Sequence, residues 1–212
     1  MQVSLVRYTP DPDGLCGVAA ALCYAGKNPE KSLKVAMDGG HESVLEHASF
    51  TFLIEGVSRV LLAQLTRHRL ASFSVQSQRY CGCNPEDVTI PQSIKDKRFG
   101  GSVTLMMQKV TDLYDAMIKE GIPAEDARFL VPQGVKCRLM MTANARELRH
   151  FFRLRTCNRA QWEIRQLADE MLRQCKEVAP MIFADAGCAC MAGKPCPEGA
   201  KSCGKPRRKE EG

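Results

Sequence analysis

Two stretches of this chain gather side chains suited to anions and polar rings. Arg67, His68 and Arg69 are consecutive and lead out of an apolar helical run. Gln64, Arg67 and His68 stand at i, i+3 and i+4, so they share one helix face. Residues 70 to 80 (Leu-Ala-Ser-Phe-Ser-Val-Gln-Ser-Gln-Arg-Tyr) are rich in hydroxyls and carry a further arginine, Arg79. Serine hydroxyls, backbone N–H groups and guanidinium forks are what a phosphate needs, and a planar fork also grips a carbonyl or an anionic ring. On spacing alone, a solvated helix end followed by a polar loop accounts for this stretch equally well.

The second stretch runs from Asn144 to Arg155 and includes Arg146, Arg149, His150 and Arg153, with Arg159 and Arg165 beyond it. Asn144, Leu148, Phe151 and Arg155 fall along one helix face, which places an arginine on an otherwise apolar side. A guanidinium buried there without a partner would be costly, so an anion should meet it. That anion is either a ligand or an internal acid such as Glu147 or Glu163. A third group, His41, Glu42, Glu46 and His47, has the residue types of a metal site. Its histidines are six apart, which puts them on different faces of a helix, unlike zinc-protease spacing. A ligand-contacting turn suits it better, and no metal ligand is assigned.

These residues need elements to hold them. Val3 to Tyr8 alternates as a strand closed by Pro10 and Pro12, and Ser49 to Ile54 alternates again. Helices are expected over 14–25, 30–38 and 57–68, the last delivering Gln64, Arg67 and His68, with a loop from 69 to 97. Val103, Met106, Val110, Leu113, Met117 and Ile118 define a long helix that Gly121 and Pro123 end. A strand is expected over 135–141, then helices over 144–155 and 160–178. Strands and helices mix without regular alternation, which places the chain in the α+β class, built around a long central helix. No glycine-rich phosphate loop stands at a strand-to-helix junction. Apolar periodicity ends at Gly187. Residues 1–186 are expected to form one catalytic domain and 187–212 a mobile Cys/Gly/Pro/Lys-rich tail.

The composition narrows the classes. Of 212 residues, 44% are hydrophobic and 25% charged, which is globular rather than disordered. The net charge of +6 invites a nucleic-acid reading, but aromatics are only 6% and no nucleic-acid-binding motif is present. Eleven cysteines invite a disulfide scaffold, yet such frameworks serve small secreted domains, and an odd count leaves a thiol over. The N-terminus lacks the layout of a signal peptide and charges interrupt every apolar run, so the expectation is a cytoplasmic protein with reduced thiols and no membrane partner.

Taken together, Arg67-His68-Arg69, seven intervening residues, Ser77 and Arg79-Tyr80 resemble the signature of the flavin-dependent thymidylate synthases. Three further matches follow the family's order: His41-Glu42-Ser43 with Glu46-His47; Ala127-Arg128 leading to Pro132; and Asn144-Ala145-Arg146 with Leu154-Arg155 and Ala160-Gln161-Trp162-Glu163-Ile164. They span residues 41–165. The resemblance implies reductive methylation of dUMP to dTMP, with methylenetetrahydrofolate as carbon donor and NADPH as hydride source through FAD. It implies FAD contacts from Ser43, Arg67, His68, Arg69, Asn144, Arg146 and His150. It implies dUMP contacts from Gln64, Arg67, Ser77, Gln78, Arg79, Arg128 and Arg155, some across a subunit boundary of a homotetramer. Arg155 is the expected catalytic residue, set against the uracil ring. Ser77 is a ligand contact rather than a nucleophile, and no cysteine is needed. Two positions depart from the family: Val75 stands where Glu or Gln is common, and His150 where some members have Asn.

Cys188, Cys190, Cys196 and Cys203 follow a C-x-C-x5-C-x6-C spacing that fits zinc poorly, and Cys81-Gly-Cys83 could add thiols. An accessory metal or redox role and a reduced tail both remain open. The rival readings of the whole chain are a nucleic-acid-binding module and a non-catalytic flavin- or nucleotide-binding homologue.

Overall fold

The computed structural model describes residues 1–82, 84 and 87–207. Four strands form one antiparallel sheet in the order β1-β2-β4-β3: β1 (Gln2–Tyr8), β2 (Ser49–Ser58), β3 (Ser72–Val75) and β4 (Lys136–Asn144). The helices are α1 (Pro12–Tyr24), α2 (Pro29–Asp38), α3 (Arg59–Leu65), α4 (Gln92–Asp96), α5 (Gly100–Lys119), α6 (Ala124–Ala127), α7 (Ala145–Arg155) and α8 (Trp162–Val178). The α+β class is thus as the sequence implies.

The period-2 pattern sets the core face. Phe50, Phe52 and Ile54 of β2 and Leu139, Met141 and Ala143 of β4 are all buried on it. Leu148, Phe151 and Phe152 of α7 cover this face with Ile164, Leu167 and Met171 of α8. Phe183 meets Phe50 and Phe152 edge-on at 5.4 and 5.8 Å. Each such ring contributes about 1.5–3 kcal/mol by leaving water. Gln174 of α8 ties down the edge strand: its Oε1 accepts from the Leu5 N–H at 2.6 Å and its Nε2 donates to the Val3 carbonyl at 3.0 Å.

Two local differences from the sequence reading matter for the site. Val57 and Ser58 belong to β2, so α3 is shorter than the apolar spacing implies. The register of β2 on β4 shifts between Glu55 and Val57, and Gly56 sits there at φ +68°, a conformation glycine adopts without strain. The expected loop after His68 also holds the short strand β3 and helix α4.

The long helix α5 is present, but its apolar stripe does not join the core. Only Tyr114 is buried on it, while Met106 and Leu113 are more than half exposed. The tail, by contrast, is packed at Cys188 and Met191 and again at Arg207. Cys188 and Met191 are buried, and the Arg207 guanidinium donates to the Thr156 carbonyl and pairs with Asp169, each at 2.7 Å. Cys83 and residues 208–212 lie outside the described residues.

Candidate active site

Helix α3 delivers one half of the site, and a buried carboxylate fixes where it starts. Ser58 caps the helix, its Oγ accepting from the Leu61 N–H at 3.1 Å. That same hydroxyl donates to Glu163 Oε2 at 2.5 Å, and the Ser58 N–H donates to Glu163 Oε1 at 2.8 Å. The first turn of α8 is thereby locked to the first turn of α3. Three residues past α3, His68 turns inward and is 5% exposed, whereas Arg67 and Arg69 on either side are exposed.

Helix α7 delivers the other half. Asn144 ends β4 and caps α7, its Oδ1 accepting from the Glu147 N–H at 2.9 Å. Glu147 is buried, and its Oε1 lies 3.2 Å from His68 Nδ1. On the far side of the imidazole, Arg155 donates from Nε to His68 Nε2 at 3.1 Å. The Phe151 ring packs edge-on against His68 at 4.9 Å and His150 lies 6.1 Å away. Burial pulls the His68 pKa below its ordinary value, Glu147 opposes that, and Arg155 and His150 add to it. Burial and the neighbouring Arg67 likewise draw Arg155 down from the usual guanidinium value. The internal acids weighed as partners of Arg155 are both committed elsewhere, Glu147 to His68 and Glu163 to Ser58. Among the described residues Arg155 forms no ion pair.

A cleft of about 690 Å³ opens beside this cluster, lined by Asn144, Arg146, Glu147, His150 and Arg153 of the α7 segment with Lys194 of the tail among others. Small-molecule sites have this size. Arg146 donates to Glu46 at 2.5 Å, and Arg149 bonds Glu42, Asp185 and the Ile182 carbonyl. The expected turn at 41–47 is a 3-10 segment, Glu42–His47, and it braces α7 through these acids. Ser43 stands exposed on it. Gln64 is half-buried, its side chain returned to the Val60 carbonyl at 3.2 Å.

A second group forms at the loop after β3. Arg79 pairs with Glu125 at 2.7 Å and its guanidinium lies 5.4 Å from the Tyr80 ring centre. Arg128 donates from Nε to the Glu125 carbonyl at 3.1 Å. The two arginines expected to grip a phosphate therefore meet at one residue, and Ser77 beside them accepts the Arg79 N–H at 3.2 Å. Gln78 is half-buried there. No hydrogen bond or ion pair among the described residues joins this group to the α3–α7 cluster.

Glu147 thus serves His68 rather than Arg155, and Lys194 lines the cleft although nothing in its local sequence marks it. The buried position of Glu147 follows the i, i+4 spacing to Phe151, which was available. Its pairing with a residue 79 positions away was not.

The thiols stand apart from this chemistry. Burial raises the Cys16 pKa to about 11 and pushes Cys175 well above the ordinary thiol value. Cys188 and Cys190 lie with their sulfurs 3.4 Å apart, and no group of three or more potential metal ligands assembles among the described residues.

Comparison with known proteins shows the family. The model of a family described as thymidylate synthase complementing protein matches residues 4–181. A flavin-dependent thymidylate synthase of Geobacter sulfurreducens is 48% identical, covering 97% of this chain and 94% of that protein. Enzymes of the same name from Clostridium tetani and Pyrococcus furiosus are each 42% identical, covering 97% and 93% of the chain. This chain belongs to the flavin-dependent thymidylate synthase family.

Proposed function

We propose that this protein methylates dUMP to dTMP, taking the carbon from methylenetetrahydrofolate and the hydride from NADPH through FAD. The observation that carries the reading is the chain from buried Glu147 and His68 to half-buried Arg155, a guanidinium with no acid partner among the described residues, whose first member Glu147 lines a ligand-sized cleft. The cleft suits a flavin dinucleotide: Arg146, Arg153, His150 and Lys194 offer donors to a pyrophosphate, and Asn144 to a polar ring. FAD, when bound, supplies the relay of the hydride from NADPH. Ser43, Arg67, His68, Arg69, Asn144, Arg146 and His150 would hold it.

The nucleotide would lie against Gln64, Arg67, Ser77, Gln78 and Arg155. Arg79 and Arg128, already gathered there, would exchange their contacts with Glu125 for the nucleotide's phosphate. Arg155 is the catalytic residue in this reading. A cation beside the uracil lowers the N3–H pKa, and the resulting anion makes the ring carbon a better nucleophile. Val75 is half-buried on β3 and brings no polar contact to the flavin.

The reading extends to assembly: a homotetramer with shared active sites, whose contacts would cover the exposed stripe of α5 and bring the two residue groups together. Residues 1–186 would form the catalytic domain, with 187–212 as an appendage. The enzyme would serve nucleotide biosynthesis in the cytoplasm, with small-molecule partners rather than nucleic acid. Among the described residues no helix is long and apolar enough to cross a membrane. The test is direct. The purified protein should be yellow, with flavin absorption, and should oxidise NADPH when dUMP is present. A colourless protein with salt-dependent oligonucleotide binding would overturn the reading.

A further inference from the structure

We propose that Glu147 is a positioning residue for the reaction: it fixes His68 as the Nδ1–H tautomer, so that Nε2 accepts from Arg155 and holds its guanidinium toward the substrate. This rests on the assignment of Arg155 to the uracil and adds a residue that assignment does not contain.

The argument starts from donors and acceptors. Arginine has five N–H donors and no acceptor, so in the 3.1 Å contact between Arg155 Nε and His68 Nε2 the imidazole nitrogen accepts. A neutral imidazole that accepts at Nε2 carries its hydrogen on Nδ1. That hydrogen faces Glu147 Oε1 at 3.2 Å, and a carboxylate only accepts. The chain therefore satisfies every member with one tautomer and no other. The Nε2–H tautomer would set donor against donor at Arg155 and lone pair against carboxylate at Glu147.

Burial makes the choice firm. Glu147 and His68 are each 5% exposed, so water does not replace a lost partner at either one. Both ends are anchored: Asn144 caps the turn that carries Glu147, and Phe151 holds the imidazole edge-on. Arg155 spends one of its five donors on His68, and the four Nη hydrogens remain for a ligand.

The same chain responds to pH. The groups facing His68 are Glu147, His150 and Arg155 of α7, with Arg67 beside Arg155. Burial, Arg155 and His150 disfavour the imidazolium and Glu147 favours it. Protonation of His68 would put a hydrogen on Nε2, remove the acceptor and set cation against cation. Turnover should fall as pH drops below the ordinary histidine value. Removing the Glu147 charge should move that fall to lower pH.

Histidine ring-nitrogen NMR on the full chain reads the tautomer directly, since four histidines are few enough to assign by substitution. His68 should show the Nδ1–H form in the wild type and in Glu147→Gln, whose amide oxygen still accepts. In Glu147→Ala, where the Arg155 contact alone still favours that form, the Nδ1–H population should fall and Nε2–H should appear. In turnover, E147A should lose about a hundredfold in kcat with FAD content kept and the dUMP KM moved less than about threefold, as expected when an imidazole loses the partner that sets its tautomer. E147Q should recover most of kcat, with its acid limb displaced downward. An Nε2–H His68 in the wild type, or an E147A protein that keeps the full Nδ1–H population or full kcat, would overturn the proposal. If the wild type makes no dTMP, the functional reading fails by itself and the NMR result still decides the tautomer.

Discussion

The direction of one hydrogen bond, from Arg155 to His68, organises the chemistry at the residue scale. It leaves a guanidinium with most of its donors uncommitted and, among the described residues, no acid partner, which is the state a residue needs if a ligand is to supply the anion. Arg155→Ala should reduce dTMP formation at least about a hundredfold, the scale of losing a charged group that stabilises developing charge, while FAD stays bound. Turnover undiminished in the variant would refute the role. His68 also carries a sign for stability. Its folded pKa is depressed by burial, so its contribution is intact above the ordinary histidine value and is lost as pH falls through the folded pKa. The sequence exposed Arg67-His68-Arg69 and Arg155 as unusual because cations rarely line an apolar face. It could not say that Glu147 serves His68, because a contact across 79 positions depends on how α3 and α7 meet.

At the scale of elements, those two helices are set by short polar devices. Ser58 and Glu163 join the N-termini of α3 and α8, and Asn144 starts α7 at the end of β4. Glu163→Ala would leave the buried N–H and hydroxyl of Ser58 without their acceptor. Such a loss costs roughly 2–3 kcal/mol, and should lower Tm by roughly 4–10 °C for a chain of this size. Calorimetry reads this, and an unchanged Tm would remove Glu163 as the anchor. Periodicity made most elements legible, since β2, β4, α7 and α8 each bury one clear face. It ran α3 too far back because Val57 continues the apolar spacing, while the bulge at Gly56 keeps Val57 in the strand. It missed β3 because four residues at a sheet edge, alternately exposed and half-buried, give too short an alternation.

At the scale of the whole molecule, the stripe on α5 is legible as a helix signal but not as a core signal. Met106 and Leu113 are more than half exposed and lie outside the core, and in the assembly proposed above a second copy would cover them. Paired charges, Met106→Glu with Leu113→Glu, should leave the fold intact and break the assembly. Sedimentation should show a multimer for the wild type and a smaller species for the variant, and a monomeric wild type would contradict the shared-site reading. The tail accounts for half of the net +6 and four of the eleven cysteines. Cys188 at its start and Arg207 toward its end are both held against Thr156, the residue after Arg155, so the tail packs where α7 ends. The other +3 is the balance of 24 Lys and Arg against 21 acids in residues 1–186.

The most direct test of the central claim follows NADPH consumption and dTMP formation together in the purified flavoprotein supplied with dUMP and methylenetetrahydrofolate. The account predicts one dTMP for each NADPH oxidised in that coupled turnover, and no dTMP when dUMP or the folate is withheld. Oxidation of NADPH with dUMP recovered unchanged would contradict it and make the protein a flavin-binding homologue without synthase activity.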